Sequence, residues 1–203
     1  MIKNIIFDFG DVFLDLDKDG AMKNALELFK IDGLTEEMVS VNCLYEQGLI
    51  KTTEFVDFYF NYFPQLSRQD IIEIWNYVLK EFPLQKMDFL KQLREENQYK
   101  LVLLSNTNEL HMDWVKKYVP FFPEFKSCFH NFYLSHEINL RKPDKEIFEL
   151  VLKENNFIPS ETLFVDDTKE NTDAAEKLGI HIWNIDETKE SIVNLFNIKK
   201  ELF

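Results

Sequence analysis

Several charged and polar side chains follow directly after short apolar runs of the sequence. Asp8 closes the run NIIF, Ser105 and Asn106 follow LVLL, and Asp166 and Asp167 follow LFV. A carboxylate at the end of a buried strand is costly unless it is paired or coordinated. One such residue alone would be interpreted as an ordinary turn residue. The repetition predicts that these side chains converge in one crevice at the ends of neighbouring strands.

These residue types suit one kind of chemistry. Three carboxylates gathered in one crevice repel one another unless a cation lies among them. Oxygen ligands suit a hard cation, and magnesium is the one that fits a site also holding phosphate. Lys142 would add a fixed positive charge, and Ser105 with the backbone N–H groups after it would bind phosphate oxygens at a helix N-terminus. A carboxylate such as Asp8 facing a phosphoryl group held in this way predicts a phosphoryl-transfer site.

The apolar runs also predict the elements that position this chemistry. Short apolar runs alternate with amphipathic helical patterns, which favours an α/β fold with a parallel sheet whose ligands bind at the carboxyl ends of the strands. The predicted strands are Asn4–Phe9, Leu101–Leu104, Phe132–Leu134, Leu163–Val165 and His181–Trp183. The predicted helices of this part are Asp144–Glu154, Asn171–Leu178 and an amphipathic tail over Glu190–Phe203.

One stretch of the chain breaks the alternation. Residues 16–87 carry only helical patterns, predicted over Gly20–Phe29, Thr35–Glu46, Thr52–Tyr62 and Ser67–Lys80. Either these helices pack directly on the sheet, or they form a small domain inserted after the first strand. Their concentration between two strands favours the insertion. We therefore predict a core of residues 1–15 and 88–203 and a helical insertion of residues 16–87.

Composition narrows the functional classes. The chain has 203 residues, 45% of them hydrophobic, and a formal net charge of −13. So acidic a chain is unsuited to nucleic acid, which requires a basic surface. No apolar run approaches the ~18 residues that a membrane helix needs, and the N-terminal residues lack a signal-peptide pattern. We therefore predict a cytoplasmic protein that acts on a small molecule.

The polar clusters resemble four motifs of the haloacid dehalogenase-like hydrolase superfamily, in the family's order. Residues 7–12 (FDFGDV) resemble motif one, residues 104–108 (LSNTN) motif two, residues 140–144 (LRKPD) motif three, and residues 164–171 motif four. The resemblance implies a Rossmann-like parallel-sheet core with an inserted helical cap domain. It is strongest to the bacterial alpha-glucose-1-phosphate phosphatase branch, which shares the glycine two places after the nucleophile.

The resemblance implies catalytic roles for individual residues. Asp8 is the nucleophile that forms an aspartyl phosphate, and Lys142 bridges it and the phosphate. Ser105 and Asn106 hold the phosphoryl oxygens. The implied substrate is a small phosphate ester, with a sugar phosphate favoured.

The resemblance also implies a magnesium site. Its members are Asp8, the Gly10 carbonyl, Asp167 and Asp166, the last of which orders a metal-bound water or the catalytic lysine. Asn171 supports the loop, although it and Asn108 are equally well interpreted as cap and loop formers.

One position departs from the family pattern. Most phosphatases of the superfamily carry an aspartate two places after the nucleophile, where it protonates the leaving oxygen and later activates water. Here that place holds Gly10, and Asp11 lies one place further on. Asp11 either shapes the turn through the nearby backbone or replaces the missing acid. The first is favoured, because a shift of one residue redirects a side chain.

The missing aspartate keeps rival functions open. A 2-haloacid dehalogenase of the same fold uses the aspartate nucleophile without metal, and a non-catalytic phosphate-binding regulator is a further alternative. A dehalogenase has no use for Asp166 and Asp167 beside its nucleophile, so the phosphatase is favoured.

The cap and the segment after motif two offer weaker candidates. Glu46 is a candidate substrate contact from the cap. His111 and Trp114, one turn apart, are interpreted as half-buried helix surface.

Overall fold

A five-stranded parallel sheet forms the centre of the fold in the computed structural model, which describes all 203 residues. The strands lie in the order β3-β2-β1-β4-β5. Their bounds are β1 Asn4–Phe7, β2 Lys100–Ser105, β3 Asn131–Leu134, β4 Thr162–Asp166 and β5 His181–Asn184. Each predicted strand is therefore present, with bounds shifted by at most about two residues, and the predicted α/β fold with a parallel sheet is confirmed.

The helices pack against this sheet or against one another. Four lie between β1 and β2 ahead of the helix that leads into β2: α1 Lys18–Phe29, α2 Glu36–Glu46, α3 Thr52–Tyr62 and α4 Arg68–Asn76. The others are α5 Leu84–Glu96, α6 Glu109–Tyr118, α7 Phe122–Ser127, α8 Ser135–Ile138, α9 Lys145–Asn155, α10 Lys169–Glu176 and α11 Leu195–Ile198. None of them combines the length and the apolar character needed to cross a lipid bilayer.

The sheet is buried on both faces because its strands are apolar throughout. Ile5 and Phe7 join a 28-residue cluster on one face, which also holds Phe13 and Phe125. Ile6, one residue along, joins a separate cluster of 10 residues on the other face. This alternation is what a strand with period two imposes, and it explains why both faces need helices.

The helices α1 to α4 have an apolar core of their own. Its members include Phe29, Met38, Phe55, Tyr59 and Ile74, and they belong to neither cluster on the sheet. The helices are therefore amphipathic, and each buries its apolar face against the others. Their assignment as a separate cap domain stays a prediction.

The two connections to this helical segment run side by side. The backbone N–H of Asp15 donates to Glu81 O at 2.8 Å, and that of Lys80 donates to Asp15 O at 3.0 Å. An isolated bridge pairs Leu16 with Leu79. The helix predicted over Ser67–Lys80 therefore ends at Asn76, because the residues after it pair with the outgoing connection. The predicted boundary between residues 87 and 88 falls inside α5.

The amphipathic tail predicted over Glu190–Phe203 is wrong as a single helix. The segment forms α11 flanked by two 3-10 turns, Ile192–Asn194 and Lys200–Leu202. The backbone N–H of Ile2 donates to Leu202 O at 3.2 Å. The turns bring Phe196 and Phe203 into contact, with ring centroids 4.7 Å apart, against the large apolar cluster. Local packing of aromatic rings therefore overrides the helical periodicity.

Candidate active site

The ends of three adjacent strands bring the predicted polar residues together. Phe7, the last residue of β1, is paired with Leu103 of β2 and Val165 of β4, so the three strands end within two residues of the same level. Asp8 and Asp166 follow directly in this register. A cleft of ≈ 430 Å³ opens at this edge of the sheet. Its walls contain eight of the predicted site residues: Asp8, Gly10, Glu46, Ser105, Asn106, Lys142, Asp167 and Asn171.

A buried lysine joins two of the carboxylates. Lys142 Nζ lies 2.7 Å from Asp8 Oδ1 and 2.5 Å from Asp166 Oδ2. Its side chain is 1% exposed and that of Asp166 is 0% exposed. A charge that is removed from water in this way is tolerated only with close partners of opposite sign.

Burial and the neighbouring charges shift the proton equilibria. Burial raises the pKa of Asp8 to about 7, while the charge of Lys142 opposes the shift and that of Asp166 adds to it. Burial alone would lower the pKa of Lys142, but the two carboxylates outweigh it and the pKa lies above its usual value. Burial also raises the pKa of Asp167. Lys142 therefore stays positively charged. A further cation beside Asp8 would stabilise the ionised form of its carboxyl.

Three carboxylates offer oxygen ligands to a cation. Oxygens of Asp8, Asp166 and Asp167 all lie within 4.8 Å of one another. Asp8 Oδ1 is buried and has no hydrogen-bond partner, although Lys142 faces it as an ion pair. Hard carboxylate oxygens gathered this closely fit Mg²⁺. The residues present therefore suit the metal predicted from the sequence.

Asp166 is the most heavily committed of the three carboxylates. Its Oδ1 accepts from the backbone N–H of Thr168 at 2.8 Å, and Asn171 Nδ2 donates to both of its oxygens at 3.1 Å. Lys142 Nζ contacts its Oδ2 in addition. The geometry makes Asp166 a residue that holds Lys142, and it gives Asn171 the role of supporting that carboxylate.

The side chain of Asn106 binds the backbone of Lys142, whereas the sequence predicts that this residue holds the phosphate. Its side chain donates to Lys142 O and accepts from Lys142 N, both at 2.9 Å. Both ends of the amide are thus used to hold the backbone of the lysine. A phosphate contact from this residue would come from its backbone N–H. Ser105, which is 3% exposed, lines the cleft at the end of β2, and Asn108 caps α6 by accepting from His111 N at 3.1 Å.

The loop after the nucleophile has a leucine packed against Gly10, where the family's acid would begin. A Cβ on Gly10 would lie 2.6 Å from Leu16 Cδ1, so Leu16 occupies the space that an aspartate side chain would enter. Asp11 has a left-handed backbone with φ 56°. Its Oδ1 accepts from Leu16 N at 2.9 Å, and its Oδ2 lies 2.8 Å from Lys18 Nζ. Asp11 therefore shapes the loop and does not line the cleft, as the favoured interpretation of the sequence predicts.

Two cations at the site escaped the sequence analysis. Lys18 Nζ lies 2.5 Å from Asp167 Oδ2 as well as near Asp11, so it joins the start of α1 to the candidate metal ligands. Arg141 Nη2 donates to Glu46 Oε2 at 3.0 Å and lines the cleft. Nothing in the local pattern singles out Lys18, because its partner is 149 positions away. Arg141 lies within motif three, and its place beside the lysine was the one signal that could have identified it.

The helical segment contributes further residues to the cleft. Glu46 reaches the cleft, and its backbone carbonyl accepts from Ser135 Oγ at 2.5 Å. His111 is half-buried on α6, as the sequence predicts, and it also lines the cleft. Its Nε2 lies 3.2 Å from Trp75 O, a contact from α6 to α4. Trp114 packs against the apolar cluster of the sheet instead.

Comparison with known proteins places the chain. It belongs to the haloacid dehalogenase-like hydrolase family, whose model matches residues 2–179. A D-ribitol-5-phosphate phosphatase of Bacteroides thetaiotaomicron is 33% identical over 196 residues, covering 88% of this chain and 89% of that protein.

Solved structures agree with this placement. A HAD family enzyme of Bacteroides thetaiotaomicron, in a magnesium complex, has a TM-score of 0.85 and 33% identity and covers 96% of this chain and 98% of that chain. The same enzyme has been solved with magnesium and inorganic phosphate, with a TM-score of 0.82 and 32% identity over 97% of this chain and 100% of that chain. A HAD-like family hydrolase of Porphyromonas gingivalis has a TM-score of 0.84 and 29% identity over 98% of both chains.

The raised pKa of Asp8 predicts a pH-dependent stability without metal. The carboxyl has an ordinary pKa of 3.8 and a folded-state pKa of about 7, so the folded chain binds the extra proton between these values. The free energy of unfolding therefore falls as pH rises toward 7. With chelator present, the melting temperature of Asp8→Asn relative to wild type should therefore be at least about 2 °C higher at pH 8 than at pH 5. Equal melting shifts at both pH values, measured by differential scanning calorimetry, would contradict this.

Proposed function

We propose that the chain is a magnesium-dependent phosphatase that hydrolyses a small phosphate monoester through an aspartyl phosphate on Asp8. The observation that carries the proposal is the buried ion pair of Lys142 with Asp8 and Asp166, with Asp167 alongside. This arrangement presents a carboxylate nucleophile beside a fixed positive charge. The positive charge is needed because the carboxylate and the phosphate are both anions and would otherwise repel each other.

The relatives support the same function. The related phosphatase is named for D-ribitol 5-phosphate, and the related solved enzyme has been observed with magnesium and with inorganic phosphate. A phosphatase of this chain would then need the metal to screen the charge between Asp8 and the incoming phosphate. The groups that would hold the metal are Asp8, Asp167 and the Gly10 carbonyl.

A cytoplasmic location stays a prediction from the sequence.

The reaction follows from the positions of the chain's own residues. An oxygen of Asp8 attacks phosphorus as the ester P–O bond breaks, and the leaving oxygen takes a proton from solvent. Water then attacks phosphorus, the bond to Asp8 breaks, and inorganic phosphate leaves with the carboxylate restored. Lys142 stabilises the negative charge that both steps place on the phosphoryl oxygens. Ser105 and the backbone N–H groups after it hold those oxygens.

A sugar phosphate is the substrate class favoured from the sequence. The resemblance to the alpha-glucose-1-phosphate phosphatase branch suggests a sugar 1-phosphate, whereas the related enzyme is named for a sugar-alcohol 5-phosphate. Both are small monoesters that a cleft of ≈ 430 Å³ accommodates. The absence of an acid at Gly10 favours the sugar 1-phosphate, because its leaving oxygen is less basic than that of the 5-phosphate.

The rival functions are less well supported. A dehalogenase expels a halide without metal and has no use for the carboxylate of Asp167 beside that of Asp8. A non-catalytic phosphate binder would have no need to hold Asp8 against Lys142 at 2.7 Å. The phosphatase uses each of these features.

The nucleophile can be tested directly. Asp8→Asn replaces the attacking oxygen with an amide that cannot form the aspartyl phosphate, so turnover should fall at least about 10³-fold. Phosphate release from p-nitrophenyl phosphate with magnesium is the measurement. The control is Asp173→Asn, an exposed aspartate paired with Lys169, which changes the net charge equally. Substantial activity in Asp8→Asn would show that another residue is the nucleophile.

The metal site has its own prediction. Asp167→Ala should raise the magnesium concentration for half-maximal activity more than Asp166→Ala does, because Asp166 is already occupied by Lys142 and Asn171. Titration of activity with magnesium after chelator treatment measures both, and Asp173→Ala is the matched control. Release of halide from 2-haloacids in the presence of chelator would instead support the dehalogenase.

The missing acid predicts a dependence on the leaving group. General acid catalysis is typically worth ~10²–10⁴-fold, and its loss harms good leaving groups least. Wild-type kcat/KM should therefore be at least about tenfold higher for phenyl phosphate and glucose 1-phosphate than for glucose 6-phosphate. Asp11→Asn should change this ratio little, since Asp11 is bound to Leu16 and Lys18.

The control for this variant is Asp15→Asn, whose carboxylate pairs with Lys86 at 2.7 Å. A selective loss of glucose 6-phosphate turnover in Asp11→Asn would identify Asp11 as the acid. Equal wild-type turnover of the two ester types, unchanged in Asp11→Asn, would indicate a proton donor elsewhere in the cleft.

A further inference from the structure

A second cavity lies among the helices α1 to α4, next to the catalytic cleft. Its volume is ≈ 260 Å³, and 11 of its 15 lining residues are hydrophobic. Phe55, Ile71 and Trp75 form part of its wall. Ala21 and Ala25 lie one helical turn apart on α1 and also line it, so two small side chains keep space open where larger ones would fill it.

The cavity continues the catalytic cleft. Lys18, Glu46, Val78 and His111 line both. Lys18 also contacts Asp167 at 2.5 Å, so the junction of the two spaces lies beside the carboxylates. A leaving group attached to a phosphoryl group at the strand ends can therefore extend into this cavity.

The polar side chains of the cavity already have partners within the protein. They are Lys18 with Asp11 and Asp167, Asn42 with Tyr59, Glu46 with Arg141, Trp75 with Asn108, and His111 with the backbone of Trp75. Burial lowers the pKa of His111 to about 4, so this ring is neutral. The hydroxyl groups of a polyol would lose water here without gaining equivalent hydrogen bonds, which is unfavourable.

We propose that this cavity binds an apolar group of the substrate, an aromatic ring or a branched alkyl chain, so that the preferred ester is that of an apolar alcohol. The proposal rests on the proposed phosphatase function, but it replaces the sugar phosphate favoured from the sequence with an ester of an apolar alcohol. Burying an apolar group in an apolar cavity is favourable, and such cavities bind apolar molecules. A phosphate on a polyol, as in the name of the related enzyme, would leave the cavity unused.

The test compares ligands that differ only in the apolar group. Ethyl phosphonate and 2-phenylethyl phosphonate bind without turnover, and calorimetry with magnesium gives their dissociation constants. The matching phosphates are both primary alkyl esters with similar leaving groups, so their kcat/KM values isolate the apolar group. We expect at least about tenfold tighter binding and higher kcat/KM for the phenylethyl compounds. We also expect 2-phenylethyl phosphate to exceed D-ribitol 5-phosphate.

Filling the cavity tests its location. Ala25→Leu, or Ala21→Leu in case the first variant does not fold, should reduce the phenylethyl-to-ethyl ratio of both measurements toward one. Val39→Leu is the control, because Val39 is 48% exposed on α2 and lies outside the cavity lining. The control should keep the wild-type ratio, and the melting temperature of every variant confirms folding.

The outcomes separate the two proposals. Selective binding of the phenylethyl phosphonate without turnover of any phosphate ester would overturn the phosphatase and leave the apolar site standing. Phosphate turnover with equal ratios for phenylethyl and ethyl compounds, or with D-ribitol 5-phosphate preferred, would overturn the apolar site and leave the phosphatase. A phenylethyl preference that survives both cavity-filling variants would also overturn it, because the apolar group would then bind elsewhere.

Discussion

The ion pair of Lys142 with Asp8 and Asp166 is the interaction on which the rest of the site depends. One carboxylate follows β1, the other belongs to β4, and the lysine is held by the amide of Asn106 on its own backbone. Asn171 also binds the carboxylate of Asp166. Removing Lys142 would leave the two buried carboxylates without their cation, and breaking a buried ion pair in this way costs about 3–5 kcal/mol. The level strand ends and the loops around them are therefore constrained together.

The same constraint explains how so acidic a chain can receive an anionic substrate. The net charge of −13 gives no general attraction for phosphate, so positive charge must be supplied locally. Lys142 supplies it at the nucleophile, Lys18 at Asp167, and Arg141 at Glu46. Asp8 is buried beside two other carboxylates, which accounts for its raised pKa and for the demand for a divalent cation.

The sequence could predict the strands and the residues at their ends because both signals are local. Apolar runs followed by polar residues predict a parallel sheet, and short parallel strands that start in register end close to the same level. Side-chain direction is not local: Leu16 fills the space beside Gly10, Asn106 turns to Lys142, and Lys18 reaches a partner far along the chain. The tail was mispredicted for a related reason, since its aromatic rings pack on residues distant in sequence.

The loop at Gly10 and the apolar cavity both affect the barrier to expelling the leaving group. Without an acid on the loop, the barrier to expelling an alkoxide is higher, and the lost stabilisation must come from elsewhere. Binding energy from a remote, non-reacting group can lower that barrier by holding the reacting atoms in line. An apolar group seated among α1 to α4 would also displace water beside Lys18, and the loss of water strengthens the effect of this positive charge on the leaving oxygen. An enzyme that lacks the acid therefore gains most from an ester whose alcohol fills the cavity.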